Sequence, residues 1–299
     1  MVKHVITGGC SFSAGGEFSG WTGQLSNYMK TLNGETTFNH TGFNSQGQEM
    51  IQKKVILALI EAFENGYKPE DILVIVMWSG THRKSWYIDN TDIINELIDG
   101  FSKFKGGVTK QFLDLKNRIT RTPKYFSTAY SSGFEYNPYG GWFYTVDGTD
   151  CKIEFVQQHY LLDSQTPGIG KVHTSIENII MLQNFCKLHN VPMIQQFFMD
   201  SVFNDIEQNK DHQIINYLYK QLDFDNIIKE GMFEYLHGFL NVSRDRAIYL
   251  KHEERLKLQG DSKYFHQDGF HPGDVGHKLW VDNILVPFLK TKTCITSFV

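Results

Sequence analysis

An uninterrupted run of seven apolar residues, Ile72–Trp78, constrains the fold more strongly than any other feature of the sequence. Such a run is typical of a parallel β-strand that is buried on both faces. Parallel strands are joined by crossover connections, usually helices, which cover the two faces of the sheet. A chain that contains this strand is therefore expected to alternate strands and helices.

The segments on both sides of this run alternate in that way. Runs rich in β-forming residues predict strands at 2–7, 36–41 and 191–198, and a last short strand at 239–242. Apolar residues at helical spacing predict helices within 21–32, 51–63 and 176–186, and a final helix that begins at Pro272. This order predicts a doubly wound parallel sheet, with chemistry at the carboxyl ends of its strands.

Two stretches lack this rhythm and are expected to be irregular, at about 83–172 and 200–236. They contain no Pro-rich linker and no internal repeat that would mark a second domain. We therefore interpret residues 1–299 as a single domain that carries two insertions.

The first insertion is rich in aromatic residues. Four of them are candidates for contacting substrate near the end of a strand: Trp86, Tyr87, Tyr139 and Trp142. The alternative is a satellite core, because a long insertion needs apolar side chains to become ordered. Gly140 and Gly141, between aromatic residues, predict the tip of a β-hairpin.

Charge and hydropathy exclude two classes of function. The chain has 29 Lys and Arg against 33 Asp and Glu, a net charge of −4, and no basic stripe. Nucleic-acid binding is therefore not expected as its main activity. No apolar run approaches the ~18 residues of a membrane-spanning helix, so no membrane span is expected.

The four cysteines, Cys10, Cys151, Cys186 and Cys294, have neither CxxC nor Cys/His finger spacing. Free thiols in a reducing compartment are the expectation. The N-terminal sequence MVKHVITGG lacks the long apolar segment of a signal peptide, which favours a cytoplasmic location.

The segment after the first predicted strand, GGCSFSAGG, contains a candidate nucleophile, Ser11. A serine between small residues, after a strand and before a helix, has an exposed hydroxyl beside free backbone N–H groups. The alternatives are a structural glycine turn and a phosphate-binding loop, although neither nucleotide-loop motif is present. Because neighbouring side chains alternate in direction, Cys10 is interpreted as a buried small residue rather than the nucleophile.

A candidate base and its partner stand near the C-terminus, in the sequence HQDGFHPGDVGH. Asp268 and His271 are three residues apart, so one turn can direct the imidazole at a serine while the carboxylate holds its other N–H. The alternatives are a helix-capping Asp beside an unrelated His, and a metal site. The potential metal ligands are His266, Asp268, His271 and His277, but their spacing matches no metal motif. His277 is interpreted as a capping or packing residue, and no metal or cofactor is expected.

Together these segments resemble the SGNH (GDSL) hydrolase family. The family's first block, Gly-Asp-Ser, matches Gly9-Cys10-Ser11, and its last block, Asp-x-x-His, matches Asp268 to His271. The resemblance implies a three-layer α/β/α, flavodoxin-like sheet. It also implies Ser11 as nucleophile, His271 as general acid and base, and Asp268 as the group that orients His271.

The two middle blocks of this family supply the oxyanion hole. The second block contributes a glycine N–H, matched here by Gly47, with Ser45 and Gly42 as alternatives in a different register. The third block, Gly-x-Asn-Asp, matches the segment 80–83, so that His82 stands where the family has its Asn. A His N–H can also donate to an oxyanion, and Ser79 is the alternative donor. The hole would then consist of Ser11, Gly47, and His82 or Ser79.

The resemblance implies a serine esterase. A carbohydrate esterase that removes O-acetyl groups is one enzyme of this kind. The substrate would be a small-molecule or glycan ester. Two alternatives use the same fold: an O-acyltransferase with the same triad, and a catalytically degenerate binding or virion-associated module. The Gly-Cys-Ser-Phe form of the first block is similar to uncharacterised members from bacteria and tailed phages, which would make a virion-associated location the alternative to the cytoplasm. The sequence predicts neither the acyl group nor the oligomeric state.

Overall fold

The structure is a computed structural model of the chain. It describes residues 2–13, 20–32, 34–42, 46–81, 83–88, 124–127, 132–137, 140–145, 168–239, 263–266 and 271–292. Within these ranges the strands are β1 (His4–Gly8), β2 (Thr37–His40), β3 (Ile72–Trp78), β4 (Lys84–Ile88), β5 (Lys124–Ser127), β6 (Ser132–Asn137), β7 (Gly140–Thr145), β8 (Met193–Phe197) and β9 (Ile227–Gly231). The α-helices are α1 (Gly20–Leu32), α2 (Gln48–Glu64), α3 (Gly168–Leu188), α4 (Asp200–Gln208), α5 (Gln213–Tyr219), α6 (Met232–Gly238), α7 (Asp274–Trp280) and α8 (Val286–Lys290).

Five strands form an all-parallel sheet in the order β2-β1-β3-β8-β9. In chain order this is 2-1-3-4-5, a common doubly wound arrangement. Every residue of β3 is buried, as expected from its apolar sequence. Gly8 pairs with Val76, so the carboxyl ends of β1 and β3 lie side by side. The loops that follow these two strands therefore meet at one edge of the sheet.

Helices cover the sheet on both faces, and two neighbouring glutamines of β8 show this directly. Gln195 accepts a hydrogen bond from Trp78 Nε1 at 2.8 Å and lines a cavity together with Cys186 of α3. Gln196 accepts from Trp280 Nε1 of α7, also at 2.8 Å. Successive residues of a strand point to opposite faces, so α3 and α7 lie on different sides of the sheet. Helix α2 packs beside α3, and α1 beside α7. The fold is thus an α/β fold with layers of helices on a parallel sheet.

Within the first predicted insertion the structure describes a second, antiparallel sheet in the order β4-β7-β6-β5. Strands β6 and β7 pair from Asn137 opposite Gly140, with two residues between them. The predicted β-hairpin is therefore confirmed, but Gly140 and Gly141 are the first two paired residues of β7 and not its tip. This sheet is separate from the parallel one.

The stretch 200–236 differs from the sequence expectation, because it is regular. It contains α4, α5 and most of α6, together with β9, the fifth parallel strand. Strand β9 is not evident from its sequence, IIKEG, because only two of its residues are apolar. An edge strand pairs on one side only and tolerates charged residues. The expectation of a last strand at 239–242 fails at Phe239, which caps the end of α6; residues 240–242 lie outside the described part of the chain.

Within the described ranges, no helix has the length and apolar composition needed to cross a membrane.

Candidate active site

The structure brings together the two ends of the chain at the carboxyl end of β1. Ser11 Oγ lies 2.8 Å from His271 Nε2, although the residues are 260 positions apart. Both side chains are half-buried, so they contact the interior and also reach solvent. With the ring proton on Nδ1, Nε2 accepts the serine hydroxyl proton, which is the geometry of an activated nucleophile.

The turn that carries Ser11 depends on two glycines. Ser11–Ser13 form a short 3₁₀ turn in which Ser13 N–H donates to Cys10 O at 2.8 Å. A Cβ at Gly9 would clash with Ser13 Oγ, and a Cβ at Gly42 would lie 2.9 Å from Ser13 Cβ. Ser13 Oγ itself accepts a buried hydrogen bond from Trp21 Nε1 at 2.9 Å. Close packing around Ser13 therefore fixes the turn.

Two details of this turn bear on the sequence expectations. Ser11 lies after β1 and before α1, as predicted, and it opens a short 3₁₀ turn. Cys10 is fully buried and has a free thiol, as its interpretation as a small core residue requires. Cys186 is also free, and burial raises the pKa of its thiol to about 12. Cys151 and Cys294 lie outside the described residues.

Gly47 is held between the loops that follow β1 and β3. It is buried and caps the N-terminus of α2 with an extended backbone. With the Gln46 amide oriented to satisfy both of its atoms, its nitrogen donates to Gly9 O and its oxygen accepts from Lys54 Nζ, each at 2.9 Å. On the other side, Gln48 Nε2 donates to Ser79 O at 2.7 Å. The glutamines that flank Gly47 thus connect it to both loops.

Ser79 follows β3 directly and is fully buried. Its hydroxyl has no hydrogen-bond partner among the described residues, whereas its carbonyl accepts from Gln48. His82 and Ser45 lie outside the described residues. Of the alternatives for the glycine, Gly42 packs against Ser13, which gives it a structural role.

The segment around His271 is held by a short antiparallel bridge. Phe265 pairs with Pro272, His266 N–H donates to His271 O at 2.8 Å, and Gly273 N–H donates to Tyr264 O at 2.8 Å. The imidazole lies against the Phe12 ring, with centroids 5.3 Å apart. The backbone of His271 is therefore fixed on one side and its ring on another. Asp268 lies outside the described residues.

His277, in α7, is a buried packing residue. Burial lowers the pKa of its imidazole to about 3, helped by the positive charges that His266 and His271 can carry. A hydrogen bond with the Pro272 backbone acts in the opposite direction. His277 is thus neutral at ordinary pH and supports the residue that follows His271. The described residues contain no cluster of His, Cys, Asp and Glu able to hold a metal ion.

The four aromatic candidates for substrate binding belong to the insertion. Trp86 pairs with Phe143 and Tyr87 with Trp142 across β4 and β7. The backbone of these strands is described, but the side chains are not, and Tyr139 lies outside the described residues. Their role in binding stays a prediction.

Sequence reasoning missed Gln46, Gln48 and Phe12, which position the site. The sequence SQGQ around Gly47 contains two of them, but a glutamine carries no pattern that distinguishes a buried residue from an exposed one. Phe12 follows Ser11 directly, and its apolar character next to the candidate nucleophile was the available signal.

Comparison of the sequence with protein-family models and with curated proteins finds no match.

Proposed function

We propose that the chain is a serine ester hydrolase of the SGNH type. The observation that carries this proposal is the 2.8 Å contact between Ser11 Oγ and His271 Nε2 at the carboxyl edge of a parallel sheet. Ligands bind at this edge in doubly wound folds. The resemblance of the first and last sequence blocks to the family supports the same assignment.

In the first half of the reaction, Ser11 Oγ attacks the ester carbonyl carbon while its proton passes to His271 Nε2. The C–O bond to the alcohol then breaks, and the alcohol leaves with the proton from His271. The product is an acyl group on Ser11. Asp268 would hold Nδ1–H and stabilise the charged imidazolium.

The negative charge on the carbonyl oxygen requires donors that are already in place. The Ser11 and Gly47 N–H groups are two candidates, and the position of Gly47 between the β1 and β3 loops supports its role. The third donor is Ser79 or His82. The buried Ser79 hydroxyl, with no partner among the described residues, favours Ser79.

In the second half, His271 removes a proton from water and the hydroxide attacks the acyl carbon. The bond from this carbon to Ser11 Oγ then breaks as His271 returns the proton to Oγ, and the acid leaves. Side chains and water carry each of these steps. The proposed substrate class is an ester, with O-acetyl groups on carbohydrates as the form to test first, since the insertion places several aromatic residues on neighbouring strands.

Labelling with a fluorophosphonate, followed by mass mapping, tests the nucleophile without knowledge of the substrate. The Ser11 oxygen should bond to phosphorus with loss of fluoride, and Ser11→Ala and His271→Ala should abolish labelling. Cys10→Ala and Ser13→Ala are the matched controls and should still be labelled. Labelling at another residue, or none in the folded wild type, would contradict the proposal.

Turnover of a chromogenic acetyl ester separates the proposal from its alternatives. Steady release of product supports a hydrolase. A single burst without turnover would favour a binding module, and a higher yield of acylated sugar on addition of a sugar acceptor would favour an acyltransferase.

A further inference from the structure

Arg83 carries a buried positive charge that two aromatic rings, Phe198 and Phe12, connect to the candidate site. The residue is only 6% exposed, and its backbone N–H donates to Gly80 O at 3.1 Å, which closes a turn after β3. Among the residues that the structure describes, none accepts a hydrogen bond from Nε or Nη1 of the guanidinium. Buried charges in proteins are normally paired, because removal from water is costly.

Two ring contacts connect this guanidinium to the Ser11 turn. Arg83 Cζ lies 5.1 Å from the centroid of the Phe198 ring. Phe198 in turn contacts Phe12 edge-on at 5.0 Å, and Phe12 lies between Ser11 and Ser13 in the chain and against His271. The charge is thus placed beyond Phe198, on the β8 side of the candidate site. An aromatic face attracts a cation but accepts none of its hydrogen bonds in the way an anion does.

The acidic residue that contacts the same turn does not neutralise Arg83. Asp205 accepts a hydrogen bond from Thr81 Oγ1 at 3.4 Å. Burial raises the pKa of Asp205, and only the Thr81 hydroxyl opposes that effect. A guanidinium in an ion pair would lower this pKa instead. No ion pair joins the Arg83 guanidinium to a carboxylate among the described residues.

We propose that Arg83 binds a carboxylate of the substrate, so that the preferred substrates are esters that carry a carboxylate near the bond that is cleaved. This inference rests on the proposed hydrolase function. One guanidinium balances the single charge of a carboxylate, and its planar N–H groups match the carboxylate oxygens. A phosphate dianion would need a second cation for the same balance.

Two matched ester pairs test this inference. In the first pair, meta-acetoxybenzoate and its methyl ester differ in a charge on the alcohol side; in the second, mono-para-nitrophenyl adipate and para-nitrophenyl hexanoate differ in a charge on the acyl side. Each kcat/KM is divided by the rate constant for hydroxide, which removes differences in intrinsic reactivity. The wild type should prefer the charged member of at least one pair by about 10- to 100-fold, the size of a charge-assisted hydrogen bond.

Arg83→Met should abolish that preference and leave the neutral ester within a few-fold of the wild type. Lys229→Met is the matched control, because Lys229 Nζ also lies over aromatic rings, at 5.5 Å from Phe203 and 5.3 Å from Phe224. It removes one charge elsewhere and should keep the preference. If Arg83→Met does not fold, Arg83→Lys keeps the charge and should retain part of the preference. A wild-type ratio near one for both pairs overturns the inference without any variant.

Calorimetric titration with succinate and with inorganic phosphate separates this inference from the proposed function. Succinate binding that weakens at least tenfold in Arg83→Met supports the carboxylate site, even if no ester is hydrolysed, in which case the hydrolase proposal fails alone. Tighter Arg83-dependent binding of phosphate than of succinate overturns the carboxylate assignment. Ester hydrolysis with equal rates for charged and neutral esters, and no Arg83-dependent binding, overturns the inference and leaves the hydrolase proposal standing.

Discussion

The Ser11 turn is held by residues of the loop that follows another strand, β2, whereas the His271 segment is held mainly by residues a few positions earlier in the chain. Gly42, which follows β2, packs on Ser13. Gln46, in the same loop, donates a hydrogen bond to Gly9 O. His271 pairs instead with the segment 263–266. The nucleophile therefore depends on long-range packing of the sheet, and the base depends on a local bridge.

Similar losses of activity in the two segments can therefore come from different causes. A change near Ser11 should alter the stability of the whole sheet together with activity. A change in the local bridge that holds the His271 backbone should alter activity with little change in stability. Variants in the two segments distinguish these causes.

The largest losses of kcat are expected for Ser11 and His271 themselves, and they should be equal in size. Ser11→Ala and His271→Ala should each lower kcat by about 10⁴–10⁶-fold, because both act in one chemical step. The double variant should lose little more than either single variant, since the effects of residues that act as a unit do not add. Steady-state kinetics on an acetyl ester measures all three, and additive losses would contradict joint action.

The next effect concerns the Ser11 turn. Gly9→Ala should force Ser13 away, destabilise the fold by about 1–3 kcal/mol and lower kcat by roughly 10²-fold through misplacement of Ser11. Gly34→Ala is the matched control, because a Cβ there meets no atom within 4 Å. Denaturant unfolding and kinetics on both variants provide the measurement. Wild-type stability in Gly9→Ala would show that the turn adapts.

The variant His266→Pro tests the bridge that holds the His271 segment. Proline has no N–H, so the hydrogen bond to His271 O is lost. We expect kcat to fall by roughly 10–10²-fold, while the free energy of unfolding falls by only about 1 kcal/mol. His266→Ala keeps the backbone N–H and should retain nearly full activity. Equal losses in the two variants would assign the effect to the imidazole of His266.

The pH dependence of stability should arise partly from His277, in the helix that follows the His271 segment. Its pKa is about 3 in the folded protein against an unperturbed 6.5, so the unfolded chain binds the extra proton as the pH falls. The contribution of His277 to the free energy of unfolding should therefore be fully present above pH 6.5 and decrease toward pH 3. At pH 5 the loss should be about 2 kcal/mol. His277→Leu should flatten this part of the profile in denaturant unfolding measured between pH 7 and pH 5. An unchanged slope would show that other groups cause it.

Trp21→Phe should give the smallest effect. It removes the donor to Ser13 Oγ while most of the buried ring remains. The expected cost is about 1 kcal/mol of stability, with kcat within about tenfold of the wild type. If activity falls far more than stability, the indole positions Ser11 more directly than the packing indicates.

Much of the sheet was predictable because its central strands are apolar. The bounds of β3 follow from the apolar run alone, and Ser11 and His271 stand out through their spacing from a strand and from a final helix. Strand β9 was not predictable, since an edge strand with a Lys and a Glu resembles a surface segment. The first insertion was recognised only as a hairpin.

The positioning of the site was less predictable for a different reason. Gln46 and Gln48 act through contacts with Gly9 and Ser79, which are distant in the sequence. Arg83 lies in the segment compared with the third family block, but only the structure shows that its charge is buried. Hydrophobic patterns mark residues that leave water, and they carry no information on buried polar groups.

The paired glutamines of β8 have a consequence for how the sheet assembles. Gln195 and Gln196 each accept from a tryptophan on a different face. If β8 aligned one position too far in either direction, one indole would face Ile194 or Phe197 and lose its acceptor in the dry interior. Each misalignment would therefore cost about 1–3 kcal/mol for the stranded N–H alone. Gln195 and Gln196 therefore favour the correct register of β8 against β3. A correct β3–β8 register also helps to position the carboxyl ends of β1 and β3, where Ser11 lies.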